Sequence, residues 1–222
     1  MSDPLAIVEA GYDAIAERYL RERLALVTPE EHAFLDRVLA AVAPGSRVVE
    51  LGCGPGVPFT AALAERTTVV GVDVSGEQLR LARARVPSAR FVKADMTTVA
   101  FRRASVDAVV AFASVGHVPV GRHAALYRSI AMWLRPGGVF ASQHPTGDNP
   151  EEIQDDWLGA PMYFSHPDLA GTLELIRAAG FGVDEILEVR GREHDGTGGA
   201  WAGIVAHLEG AASARPAREP AR

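Results

Sequence analysis

Three glycines at alternate positions, Gly52, Gly54 and Gly56, follow a run of buried-strand character, Arg-Val-Val-Glu-Leu at residues 47 to 51. Glycine is wanted at such a strand end because a side chain would forbid the turn's dihedrals or block a ligand's approach to the backbone. The next apolar run, Thr68 to Val72, ends at Asp73. That lies about twenty residues on, where a doubly wound fold places a carboxylate that accepts hydrogen bonds from a ribose. The spacing departs from the dinucleotide fingerprint, whose third glycine falls one residue later to pack the phosphate-binding helix. Val57 stands there, with Pro58 after it. With no pyrophosphate to cradle, an acidic residue can enter the loop, and Glu50, two residues ahead of Gly52, suits the ammonium of an amino acid ligand.

Val49-Glu50-Leu51-Gly52-Cys53-Gly54-Pro55-Gly56 resembles the first motif of the class I S-adenosylmethionine-dependent methyltransferases, and the stretch from Asp156 to His166 resembles one in their bacterial small-molecule branch. Gly71-Val72-Asp73-Val74-Ser75 resembles the family's ribose-binding segment, and Asp95-Met96 its adenine-binding pair. Val106 to Phe112 is similar to the strand whose end faces the methyl donor, and Trp133 to Gly138 to the turn into strand five. The resemblance runs from residue 8 to residue 208. It implies S-adenosylmethionine as cofactor, held by Tyr19, Glu50, Gly52, Gly54, Gly56, Asp73, Val74, Asp95, Met96, Phe112 and His117, with S-adenosylhomocysteine as product. Tyr12 to Tyr19 is similar to the Tyr-Asp-x-Ile-Ala-x-x-Tyr of an N-terminal helix that closes over the donor, where Tyr19 is expected to reach it and Tyr12 serves packing equally well. Several relatives carry a bulky residue where Ala113 stands, which implies a differently shaped acceptor pocket here.

Methyl transfer from a sulfonium is a direct displacement that mainly needs a nucleophile held in line, and a general base helps when the acceptor is a hydroxyl or a protonated nitrogen. His117, five residues past Phe112, is the first candidate base, with a place in the pocket wall as the alternative. His144, directly after the fifth strand, is the second, for substrate contact or catalysis. Residues 144 to 166 read as an irregular insertion too long for a simple connection. Trp157, Met162, Tyr163 and Phe164 in it would form an aromatic lid on a flat acceptor, or else pack the loop onto the sheet. An NAD-dependent oxidoreductase is disfavoured by Val57 and by Asp95-Met96. A non-catalytic interaction module has no chemical need for Glu50 and Asp73.

A chain of 222 residues, 48% hydrophobic, buries one large core, and one domain is expected over residues 1–209, with residues 210–222, rich in Ala, Arg and Pro, read as a disordered tail. Net charge of −6 without a Lys/Arg run removes the phosphate attraction that drives nucleic-acid binding, so the expected partner is a small-molecule acceptor, on a monomer or homodimer. The absence of a long apolar run, and of basic and apolar blocks near Asp3 and Glu9, leads us to expect no membrane association and a cytoplasmic location. A single cysteine makes neither an internal disulfide nor a structural zinc site, no metal is expected, and Cys53 is read as filling space in the glycine loop.

The elements that must position these residues follow from pattern. Pro4 opens a first helix, and Thr28-Pro29-Glu30-Glu31 is a capping box opening a second that stops before Pro44. Strands are expected at 47 to 51, 68 to 73, 89 to 94, 106 to 112, 138 to 143, 183 to 190 and 200 to 208, with helices at 58 to 66, 76 to 86, 122 to 134 and 167 to 179. The fold class is therefore α/β: a Rossmann-like, seven-stranded, mostly parallel sheet with an antiparallel last strand, helices on both faces and an N-terminal helical cap.

Overall fold

A computed structural model describes residues 3–192 and 198–210. The expected tail at 210–222 therefore lies, Gly210 apart, outside the described residues. Asp3 caps α1 (Pro4–Leu26) by accepting from the Leu5 amide, with proline in the first turn where no amide donor is needed. Thr28 and Glu31 close the anticipated capping box on α2 (Pro29–Ala41). Alternation then begins: β1 (Arg47–Leu51), α3 (Phe59–Ala64), β2 (Thr68–Asp73), α4 (Gly76–Arg85), β3 (Arg90–Lys93), β4 (Val106–Ala111), α5 (Val120–Trp133) and β5 (Leu134–Pro145). A hairpin of β6 (Asn149–Trp157) and β7 (Ala160–His166) follows, then α6 (Leu169–Ala178), β8 (Phe181–Arg192) and β9 (Gly198–Leu208).

The main sheet has seven strands in the order β3-β2-β1-β4-β5-β9-β8, parallel from β3 to β5, with β9 wedged antiparallel between β5 and β8. Alternate residues of each strand feed two cores. Val49, Val109 and Phe140 face Tyr127 and Ile130 of α5 and Ile176 of α6; Val48, Val110 and Ala141 face Phe34 and Val38 of α2 and Phe59 and Leu63 of α3. This is the layered α/β architecture expected from the alternation.

Gly203 shows how closely β9 meets α2. A Cβ there would lie 2.5 Å from Cδ2 of Phe34, a fully buried ring that also packs edge-to-face on Phe112. Gly203→Ala should therefore cost about 1–3 kcal/mol by overpacking. Phe34→Leu in the same chain should recover part of that loss, and denaturant melts showing two independent, additive losses would contradict the contact.

One expectation is corrected. Residues 144 to 166 are not irregular: most of them form the β6–β7 hairpin, closed by Leu158 and Gly159 with φ of 56° and 92°. Positive φ at both turn residues is what a type I′ turn requires. The hairpin packs on α1 through Val8, Ile15, Leu158, Met162 and Tyr163. At Gly11 the two approach so closely that a Cβ would lie 2.6 Å from the Pro161 carbonyl. Among the described residues no helix is long and apolar enough to cross a membrane, and no group of three or more His, Cys, Asp or Glu stands where it could hold a metal ion.

Candidate active site at the carboxyl edge of the sheet

β1 and β4 are neighbours whose crossovers leave in opposite directions, and their carboxyl ends open the crevice in which such sheets bind ligands. The loop after β1 is pinned there. Gly52 and Cys53 donate their amides to the Val72 carbonyl at 2.8 and 3.1 Å, and Ser114 donates its hydroxyl to the Leu51 carbonyl at 2.6 Å. Gly52 has φ +70°, and a Cβ on it would lie 2.3 Å from that of Ser114, so only glycine lets the two loops meet. Gly54, φ +52°, donates to Asp73 Oδ2 at 2.8 Å, and Ser75 donates to Oδ1 at 2.9 Å. A Cβ on Gly54 would meet only the Tyr19 ring, at 3.8 Å, across the cavity.

That cavity is lined by Tyr19, Gly52, Gly54, Asp73, Val74, Asp95, Met96, Phe112 and His117 of the expected set. Asp95 is oriented by the Thr97 amide and hydroxyl at 2.8 and 2.7 Å. Leu5, Val8, Tyr12, Ala113, Ser114 and Val118 line it too. Apolar residues of α1 carry no sequence mark distinguishing a cavity wall from packing, so Leu5 and Val8 were not foreseen. Asp13 fixes α1 over the opening, accepting from the Ser75 hydroxyl at 2.5 Å and the Glu77 amide at 3.1 Å at the start of α4.

Two expected residues stand elsewhere. Gly56 does not line the cavity: a Cβ there would come within 3.2 Å of Ala82 and Val86, so this glycine serves the packing of the loop on α4. Glu50 is also off the cavity wall, fully enclosed and accepting from the Thr60 hydroxyl at 2.5 Å. Burial raises its carboxyl to about 8, from an ordinary 4.5. The folded chain thus keeps a proton that the unfolded chain releases. Stability from this source is complete below about pH 4.5 and is lost as pH climbs through about 8. Glu50→Gln should therefore raise the melting temperature at pH 8 more than at pH 5; an equal shift at both would contradict the buried, protonated carboxyl. Cys53 fills space as read, its thiol buried and pushed well up by burial.

His117 sits in a 3-10 turn after β4, its Nδ1 at 2.8 Å from the Tyr163 carbonyl and its Nε2 at 2.8 Å from the Tyr12 hydroxyl. A carbonyl only accepts, so the ring proton is on Nδ1 and Nε2 accepts from Tyr12. Burial lowers His117 to about 4, which keeps it neutral. Tyr12, Tyr19, Ala113 and His117 also line a second, larger cavity beside the first. Trp157 and Phe164 from the hairpin border this second space, packed edge-to-face at 5.8 Å.

Three substrate expectations are not met by position. His144 faces α5, buried, with Nε2 at 2.8 Å from Ser142 Oγ and its ring near Tyr127; it lines neither cavity. Burial drops it to about 3. Side chains alternate along a strand, so it is the flanking Gln143 and Pro145 that border the larger cavity. Met162 and Tyr163 are buried between hairpin and α1 and line neither cavity, Tyr163 serving through its carbonyl.

Residues 48–138 match the family described as a methyltransferase domain. Over 101 residues the chain is 46% identical to a trans-aconitate 2-methyltransferase of Azoarcus sp. (strain BH72), covering 44% of this chain and 38% of that protein. Over 142 residues it is 40% identical to one of Paracidovorax citrulli (strain AAC00-1), covering 63% and 51%. The chain thus spans about half or less of the length of these relatives. Among solved structures, a Burkholderia thailandensis 1,6-didemethyltoxoflavin-N1-methyltransferase superposes with TM-score 0.71 at 18% identity, over 95% of this chain and 92% of that one, which shows a common fold. With the motifs on one sheet edge and the match in register with them, residues 48–138 form a methyltransferase domain, and the chain shares its fold with S-adenosylmethionine-dependent methyltransferases.

Proposed function

We propose that this chain transfers a methyl group from S-adenosylmethionine to an oxygen or nitrogen of a small molecule. One observation carries the reading: the glycine-loop cavity and the larger cavity share a wall of Tyr12, Tyr19, Ala113 and His117, so a donor in the first and an acceptor in the second would meet there. The glycine cradle fits a ligand laid against backbone, because the Cβ absent from Gly54 would project into the space. Asp73 would take the ribose hydroxyls, and Asp95 with Met96 the adenine. When bound, the cofactor supplies a sulfonium methyl that an acceptor lone pair displaces in line, the sulfur keeping the bonding pair.

Tyr12, Tyr19 and Trp157 exclude water from the junction, their rings packed 5.2 to 6.0 Å apart. His117 is a positioning group in this arrangement. Its Nε2 is engaged by Tyr12 and, at about 4, the ring is a weak base at neutral pH, so placement supplies most of the rate. Val57, which argued against dinucleotide binding, packs on Ala16, Leu20 and Leu81.

The names of the curated relatives point to a tricarboxylate acceptor. The larger cavity gives that reading little support: Arg23 spends its fork on Glu31 at 3.2 and 2.7 Å, and Arg18 is bonded to Glu22 and the Leu158 carbonyl at 2.8 and 2.9 Å. The test is S-adenosylhomocysteine formation with a small-molecule acceptor panel. Turnover that depends on the acceptor and disappears in Asp73→Ala is expected. No turnover from a chain that binds S-adenosylhomocysteine would favour the non-catalytic module.

A further inference from the structure

We infer that the larger cavity takes a planar, uncharged ring compound bearing an N–H or O–H donor, and that Gln143 reads that donor. The inference rests on the methyltransferase reading and assigns its acceptor class. Gln143 borders the cavity from β5, is 2% exposed, and its Oε1 has no hydrogen-bond partner. It continues the strand face of Val139 and Ala141, which is apolar core, and its cavity neighbours Pro145, Val189 and Trp201 present hydrophobic surface. Leaving a buried amide oxygen unpaired costs about 1–3 kcal/mol, so an apolar residue would serve mere packing better. The oxygen is closed to water as the side chain stands, so a donor in the cavity reaches it through a rotation of the Gln143 amide.

The rest of the boundary restricts the donor's carrier. Trp157 and Phe164 offer aromatic surface suited to a flat ring. Three carboxylates, Glu31, Glu152 and Asp156, outnumber the two guanidiniums, Arg18 and Arg23, and both guanidiniums are engaged by protein acceptors. An anionic acceptor would meet net repulsion without a bidentate partner.

The test uses the full chain saturated with S-adenosylhomocysteine and titrated with four probes: lumazine and hydroxyquinoline as planar donors, methoxyquinoline as a matched ring without the donor, and trans-aconitate. A planar donor should bind at least about tenfold tighter than methoxyquinoline and trans-aconitate. Gln143→Leu should remove that preference while leaving S-adenosylhomocysteine affinity and the melting temperature undiminished. Binding of neither planar donor, equal binding of trans-aconitate, or a preference retained in Gln143→Leu would overturn the inference. Absence of S-adenosylhomocysteine binding at the outset would instead overturn the methyltransferase reading beneath it.

Discussion

A Gly52→Val chain should melt about 10 °C below the parent and lose measurable affinity for S-adenosylhomocysteine. Two costs combine at this residue. Its φ of +70° is one that a β-branched side chain adopts only under strain of about 1–3 kcal/mol. Its Cβ would also lie 2.3 Å from that of Ser114, whose hydroxyl holds the Leu51 carbonyl, and separating them adds overpacking of about 1–3 kcal/mol. Gly45 is the control, with φ +78° and nothing within 4 Å of its missing Cβ. Gly45→Val should show the strain alone. Equal melting losses in the two variants would mean that the β1 and β4 loops do not touch as described.

Asp73→Ala should weaken S-adenosylhomocysteine binding at least about a hundredfold, roughly 3 kcal/mol, with little change in fold. The carboxylate accepts from Gly54 and Ser75 at 2.8 and 2.9 Å, so its removal loosens the glycine cradle as well as deleting the ribose acceptor. Asp73→Asn, which keeps one acceptor, should fall between. Burial lifts Asp73 to about 6 from an ordinary 3.8. The stability from this raised pKa is therefore complete below about pH 3.8 and lost as pH climbs through about 6, whereas ligand hydroxyls are best received by the ionised form. Affinity should fall as pH drops below about 6, by calorimetry at pH 5 and 7.5, and Asp73→Asn should lose that dependence. A flat profile in the parent would remove Asp73 from the ligand's path.

The nucleotide half of the site was legible because its demands are local. A strand end needing positive φ at Gly52 and Gly54, and a carboxylate one strand later, leave marks at fixed spacing, and β1 and β2 begin and end where their patterns do. Glu50 shares that motif yet turns to Thr60, since a motif gives position along the chain and not the direction of a side chain, and Gly56 packs its loop on α4. The acceptor half was less legible for the same reason. His144 and Gln143 differ by one residue on β5 and hence by a whole face, which register with β9 decides. β6 was missed because Glu151 to Asp156 is polar on both faces apart from Ile153, giving no period-two signal, and its Leu158-Gly159 turn lacks the usual Asn-Gly or Asp-Gly mark. Tyr12 was read as covering the donor or serving packing alone; its bond to His117 spans 105 residues and has no local trace.

The central claim is that the glycine-loop cavity holds a methyl donor and not a dinucleotide. Calorimetric titration of the parent chain with S-adenosylhomocysteine, beside NAD, tests it most directly. Micromolar binding of S-adenosylhomocysteine and none of NAD is the predicted result. NAD bound in preference, or a folded chain that binds neither, would contradict it.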